Sequence, residues 1–229
     1  MMSEAEFDRF ATSYNSDLAK GLAATGEDRD FYARVRIDWT AKCVSDLGLG
    51  VRSILDFGCG DGRNAPVLAD AFKADRVLGV DVSGAFIAEA RKSKFGSKAS
   101  FLTTDEWTPD GKVDLAYSNG VFHHIRPSER KERLAAIRRA LCRDGLFAFW
   151  ENNPWNPGTR HVMSQCVFDR DASPISPSEA RRMLTDAGIE ILRFDSLFFF
   201  PRHLRILRPA ERWLRGVPLG GQYMALCRR

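Results

Sequence analysis

The residues with the clearest chemical meaning are three glycines in five positions, Gly58-Cys59-Gly60-Asp61-Gly62, directly after the apolar run Ile54-Leu55-Asp56-Phe57. Glycine tolerates positive φ and carries no side chain, so a strand that ends in this turn presents bare backbone against which a ligand can lie. A second apolar run, Val77-Leu78-Gly79-Val80, ends in Asp81, 19 residues after Gly62. A carboxylate at that place can accept both hydroxyls of a ribose, and the two features together point to a bound nucleoside. Spacing separates this turn from a dinucleotide site. Pyrophosphate at a helix N-terminus goes with GxGxxG, whereas here the third glycine comes one place early, as GxGxG.

Further titratable groups cluster where later apolar runs end. His123 and His124 follow the run 113–117, and a histidine at the carboxyl edge of a sheet has a suitable pKa for taking a proton near neutrality. The alternative is that each imidazole bonds to a neighbouring carbonyl and packs its loop. Glu151 closes the run Leu146-Phe147-Ala148-Phe149-Trp150 and precedes Asn152-Asn153-Pro154-Trp155-Asn156-Pro157, where it can orient a second ligand or cap a turn. Tyr14 and Arg36, nearer the start, offer a phenol to close over a cation and a guanidinium to pair with a carboxylate. Their plainer readings are a core aromatic and a solvated charge. Trp155, Arg160 and His161 are candidate contacts for a second ligand. The five cysteines show no CxxC pair and the four histidines no HExxH pattern, so neither a disulfide framework nor a metal site is expected.

Those residues need elements to carry them. Short apolar runs at 53–57, 76–81, 99–103, 113–117 and 145–150 alternate with helical periodicity at 63–73, 84–94 and 128–142, the signature of stacked βαβ units. Strands as continuously apolar as 54–57 and 146–150 require a sheet covered on both faces. Two helices, near 5–18 and 28–47, precede the first strand. A helix at 178–187, a strand at 189–198, a short helix at 209–215 and a strand at 222–228 follow. Residues 152–177 carry Pro154, Pro157, Pro174 and Pro177 and read as an insertion that forms a lid. The expectation is one domain over 1–229, with 1–50 as a helical cap.

Composition allows this and narrows the setting. Hydrophobic residues at 44% and charged residues at 28% are those of an ordinary globular chain. The formal charge of +4 is mild, but Arg202, Arg205, Arg208, Arg212 and Arg215 stand with a single acid, Glu211, among Leu204, Ile206, Leu207 and Leu214. Residues 198–215 are therefore expected at the surface as a basic, amphipathic edge, able to meet an anionic membrane or lipid-linked ligand or else to serve only as a solvated face. The absence of a basic n-region leading into an apolar run, and of any span of about 18 apolar residues, points to a cytoplasmic chain. No dedicated RNA-binding module is visible.

At the glycine turn and its acid the sequence resembles the class I S-adenosylmethionine-dependent methyltransferases, specifically the broad bacterial small-molecule group with hydrophobic-hydrophobic-Asp-x-Gly-x-Gly-x-Gly as motif I. The likeness runs over roughly 7–228, taking in Phe7-Asp8 with Tyr14, Val113-Asp114-Leu115 and Val121-Phe122-His123-His124-Ile125. It implies a Rossmann-like, doubly wound α/β fold with a seven-stranded sheet in the order 3-2-1-4-5-7-6, the last strand antiparallel. It further implies S-adenosylmethionine as cofactor, with Gly58, Cys59 and Gly60 at the methionine part, Asp56 beside its amino group, Asp81 and Val82 at the ribose, Asp105 or Glu106 at the adenine, and Ser118 and Asn119 under the sulfonium. Cys59 is expected as a small residue facing the cofactor. Asn153-Pro154-Trp155 is similar to the Asn-Pro-Pro-aromatic motif of base amino-methyltransferases but stands after the wrong strand and lacks the second proline. The expected acceptor is a small molecule, O-methylated, such as a sugar or other biosynthetic intermediate. Open alternatives are an RNA or protein methyltransferase, a nicotinamide dehydrogenase and a non-catalytic binder of the same fold.

Overall fold

A computed structural model describes residue 8 and residues 14–93 and 95–229. Phe7, Phe10 and Ala11, expected on the first helix, lie outside the described residues, as does the side chain of Tyr14.

Seven strands form one sheet in the order β3-β2-β1-β4-β5-β7-β6: β1 Ser53–Phe57, β2 Arg76–Asp81, β3 Ala99–Thr103, β4 Val113–Asn119, β5 Leu141–Asn152, β6 Glu190–Leu197 and β7 Gln222–Arg228. The first five are parallel, and β7 runs antiparallel to both β5 and β6. The order and the reversed last strand are those expected. Side-chain alternation explains why the central strands read as unbroken apolar runs. Along β5, Leu146, Ala148 and Trp150 join a cluster on one face, and Phe147 and Phe149 join a cluster on the other.

Helices cover both faces. On the first lie α2 (Arg29–Asp46), α3 (Asn64–Phe72) and α4 (Gly84–Lys92); on the second lie α5 (Pro127–Ala140) and α7 (Pro177–Asp186). Local chemistry sets their starts: the side chains of Asp28, Ser83 and Ser176 accept the backbone N–H of Phe31, Phe86 and Glu179, each satisfying an otherwise orphaned donor. The helix expected to reach residue 142 stops at Ala140, because Leu141 already pairs with Val113 of β4. Gly145 sits inside the strand, where a Cβ would come within 2.9 Å of the Val113 carbonyl oxygen.

The first described helix, α1 (Tyr14–Leu22), packs on the insertion, which is not a plain loop. Residues Pro157–Gln165 form α6, and Val167–Asp169 a 3₁₀ turn. Its prolines are less disruptive than they look. Pro157 and Pro177 occupy first-turn positions, where the missing N–H is no loss. Gly21 of α1 meets α6 so closely that a Cβ would lie 2.5 Å from the Cys166 sulfur. After β6 a 3₁₀ segment, Arg202–Ala210, leads into α8 (Glu211–Leu214), where a single short helix was expected. Among the described residues no helix is long and apolar enough to cross a membrane.

One buried polar chain ties α2 to the sheet. The Trp150 indole N–H donates to Thr40 Oγ1 at 3.0 Å, and that hydroxyl donates to the Arg36 carbonyl at 2.8 Å. Replacement Thr40→Val keeps the shape and leaves the indole donor unpaired, which should cost about 1–3 kcal/mol. Urea unfolding measures this, and a midpoint equal to wild type would show that the bond carries no net stability.

Candidate active site

Two cavities meet at the carboxyl edge of the parallel strands. The smaller, of about 230 Å³, lies over the glycine turn; the larger, of about 710 Å³, lies between α1, α2, the insertion and the segment after β6. Leu18, Arg29, Arg36, Asn119, Gly120 and His124 line both.

The glycine turn is shaped by close approach. Gly58, Gly60 and Gly62 have φ of 78°, 53° and 76°, values that disfavour other residues. A Cβ on Gly58 would stand 2.2 Å from Val121, and one on Gly62 would stand 2.6 Å from the Phe101 ring, whereas one on Gly60 would meet nothing within 4 Å. The middle glycine is thus the open one. Asp81 fixes the turn from the next strand, its two oxygens accepting the N–H of Gly60 at 2.8 Å and of Ser83 at 2.9 Å. Burial raises its pKa against the pull of these donors. Each oxygen retains acceptor capacity.

Asp61 has a role that its place in a turn did not reveal. Arg29 grips it with two bonds of 2.9 and 3.0 Å, Asn15 and Arg63 also reach it, and α1 and α2 are thereby tied to the glycine turn. Burial would lift the Asp61 carboxyl, but these donors and charges outweigh it and hold the pKa below its ordinary value.

Gly58, Gly60, Asp81, Val82 and Asn119 line the smaller cavity, with Thr104, Asn64 and Phe86 beside them. Asp56 lies beneath, 1% exposed, its pKa raised to about 7 by burial and by the charge of Asp81. Four expectations need correction. Asp105 and Glu106 do not line the cavity: both are exposed, and Glu106 turns back to accept from Arg91 at 2.6 Å and from the Thr103 N–H at 2.8 Å. Cys59 contributes to the wall, but its thiol packs toward the sheet, where a Cβ on Gly79 would lie 2.8 Å from the sulfur. Arg36 is no solvated charge: it is 6% exposed and donates to Gln222 at 2.9 Å. Trp155 (45% exposed) and Arg160, also exposed, are not on the wall of the larger cavity, which leaves only His161 of that trio there. Asn153 accounts for this, because its amide bonds to the Pro218 and Gly220 carbonyls and its oxygen accepts from the Trp155 N–H, folding the strand end over β7.

Beside the cavity junction, the turn after β4 holds a buried ionic array. Glu151, fully buried, accepts the Phe122 N–H at 2.7 Å and the His123 Nδ1 proton at 2.5 Å. On the other side of that ring, Asp169 from the insertion places Oδ1 3.4 Å from Nε2 of both His123 and His124. Burial pushes the His123 pKa down, yet the charge of Glu151 and the bonds to Asp169 and Glu151 outweigh it and raise it to about 10. His124, buried and with its ring centroid 4.1 Å from that of His123, is held well below its ordinary value, by burial first and the neighbouring cation second. The two adjacent imidazoles are thus driven in opposite directions, His123 toward the charged form and His124 toward the neutral one. His123, His124 and Asp169 bring ligand-type atoms within 4.8 Å of one another. Arg130 was missed in the sequence because it sits in a charge-rich helix. It is 3% exposed and donates to the carbonyls of Phe122, Ile125 and Ser173, clamping the histidine turn to the insertion.

Comparison with known proteins agrees with this architecture. Residues 54–145 match the family model described as a methyltransferase domain. The chain is 26% identical over 179 residues, 75% of its own length and 68% of the relative's, to a trans-aconitate 2-methyltransferase of Klebsiella pneumoniae. Among solved structures it is similar to the methyltransferase complexed with the Trm112 activator of Haloferax volcanii (TM-score 0.66, 22% identity, 97% of each chain). It is also similar to DhpI in complex with SAH (TM-score 0.62, 17% identity, 98% of this chain and 94% of that one). The sheet thus has the fold of the S-adenosylmethionine-dependent methyltransferases of known structure, and residues 54–145, which hold the glycine turn, are similar to a methyltransferase domain.

Replacing Glu151 with Gln removes the charge that holds His123 protonated. Because the folded pKa is raised from 6.5 to about 10, the stability from that pair is fully present below pH 6.5 and is lost as pH rises through about 10. Urea unfolding across this range should show wild type exceeding Glu151→Gln most at the acid end, with the gap closing toward the alkaline end. A gap that widens with pH would refute the charged assignment.

Proposed function

We propose that the chain transfers the methyl group of S-adenosylmethionine to a hydroxyl of a small-molecule acceptor, such as a sugar or other biosynthetic intermediate, bound in the larger cavity. The observation that carries this reading is His124, a neutral imidazole on the wall of both cavities.

The smaller cavity suits the cofactor on the chemistry of its buried groups. Asp56 Oδ2, Asn119 Oδ1 and Arg36 Nε are buried without a hydrogen-bond partner, the acceptors and donor that an amino-acid ammonium and carboxylate would use. Asp81 would take the ribose through the acceptor capacity left after Gly60 and Ser83, Val82 and Thr104 would flank the nucleoside, and the bare backbone of Gly58 and Gly60 would lie along the methionine part. When bound, this cofactor supplies an already activated methyl, so the protein's work is to bring the acceptor oxygen into line with it. His124 Nε2 would take the proton of the acceptor hydroxyl, and Asp169, 3.4 Å away, would stabilise the resulting charge beside His123. Glu151 and His123 are positioning residues in this scheme: they hold the turn from which His124 projects. The α1–α2 cap and the insertion over 152–177 exclude water from the transfer and set acceptor choice. Phe31, Tyr32 and Phe168 wall the cavity, with His161 at its rim. A volume near 710 Å³ admits an acceptor of drug-like size.

A second reading is a carboxylate acceptor. It is favoured by Arg36 on the wall and by a relative named trans-aconitate 2-methyltransferase. A carboxylate needs no base, so the two readings part at His124.

For a hydroxyl acceptor, His124→Gln should lower kcat by roughly 10²–10⁴-fold and leave the affinity for S-adenosylhomocysteine within about threefold; undiminished kcat in a folded variant would rule out the base and favour the carboxylate. Independently, Asp81→Ala should weaken S-adenosylhomocysteine by about 1.5–3 kcal/mol. Calorimetric titration measures it, and wild-type affinity in the folded variant would overturn the ribose assignment.

A further inference from the structure

The segment between β6 and β7 carries apolar surface that stays exposed among the described residues. Ile206 is 85% exposed and Trp213 70%, and Leu204, Leu207, Val217 and Leu219 are each more than a third exposed. Single exposed apolar residues are ordinary, but a run of this size on one short segment marks an interaction surface. The charges around it are of one sign. Arg205 and Arg212 are exposed and make no ion pair among the described residues, and Arg212 lies over the Trp213 ring at 4.0 Å. The only acid of the stretch, Glu211, is turned inward to accept the N–H of Phe199 and Phe200, so it does not oppose an anionic surface.

We propose that this segment, Arg202–Leu219, docks onto an anionic lipid bilayer, with Ile206, Leu207, Trp213 and Leu219 entering the headgroup region and Arg205 and Arg212 meeting lipid phosphates. Charge complementarity decides the occupant: aromatic and aliphatic side chains flanked by unpaired arginines are the pattern of a helix lying in a membrane interface. The surface is built to hold its place against such a load. Arg208 bonds to Glu27 at 2.8 Å, Arg202 to the Gly26 carbonyl at 3.2 Å, and the Arg215 guanidinium lies 3.5 Å from the Trp39 ring centroid, which ties the segment to the helical cap at both ends. The same segment reaches the wall of the larger cavity through Arg208 and Glu211, beside Phe199 and Phe200, so docking places that cavity beside the membrane.

Co-sedimentation of the full chain with phosphatidylcholine vesicles, with and without phosphatidylglycerol, tests this. The expected result is retention on vesicles containing phosphatidylglycerol and not on phosphatidylcholine alone, weakening as salt rises. Two variants separate the contributions: Ile206→Asp with Trp213→Asp, and Arg205→Glu with Arg212→Glu. All four positions are exposed and outside both cavities, and unchanged circular dichroism and Tm would show that each variant is folded. Each should lower the fraction bound at least about tenfold. No retention even at low salt, or retention unaffected by the Ile206/Trp213 variant, would overturn the proposal. So would a wild-type dimer in light scattering that the same variant breaks, because the covering partner would then be a second copy of this chain.

Discussion

A single buried carboxylate organises the catalytic edge of this protein. Glu151 sits at the end of the central strand β5 with no exposure to water, and an ionised group in that position is tolerated only if it is paired and hydrogen-bonded. Its partners are the Phe122 N–H and the His123 imidazole, both in the turn that leaves the neighbouring strand β4. Satisfying one charge therefore determines the path of that turn. The consequences spread outward. His123 is pushed toward the cation, burial and then that neighbouring charge hold His124 toward its neutral form, and Asp169 of the insertion stands beside the two rings. Arg130 holds the same turn from α5. A charge buried for structural reasons thus adds to the effect of burial on the imidazole that faces the cavities.

The glycine turn is governed by a comparable constraint on the other side of β1. Its backbone must stay open for a ligand, so it cannot be held by packing alone, and two acids hold it instead. Asp81 takes the N–H of Gly60, and Asp61 is clamped by Arg29 from α2. The second contact links the cap to the turn, so displacement of the cap strains the turn beneath it. Gly21 against Cys166 links the cap to the insertion. The two additions to the sheet accordingly close one cavity together rather than two separately.

Much of this was legible in the sequence because it depends on short-range pattern. Continuous apolar runs identified strands buried on both faces, and the glycine spacing with Asp81 located the turn that Gly58, Gly60 and Asp81 form. What was not legible depends on pairing at a distance. Asp61 read as a turn residue because its partner, Arg29, lies 32 residues earlier; Arg130 was not singled out because its acceptors are loop carbonyls. Trp155 looked like a pocket wall by type alone, and only the side-chain bonds of Asn153 turn it outward. The helix α6 was hidden because Pro157 signals a break, although a proline in the first helical turn is compatible with a helix. Asp105 and Glu106 were expected at the ligand because they follow β3, but Thr104 reaches the cavity first and Arg91 diverts Glu106.

The central claim is that the two cavities are successive halves of one transfer path, with the methyl passing between them beside Asn119, Gly120 and His124. A crystal structure of the protein with S-adenosylhomocysteine tests it most directly. The account predicts the ligand's sulfur at the junction formed by those three residues, its ribose on Asp81 and its amino-acid end toward Arg36 and Asn119. A ligand whose sulfur lay away from His124, or whose nucleoside occupied the larger cavity, would contradict it.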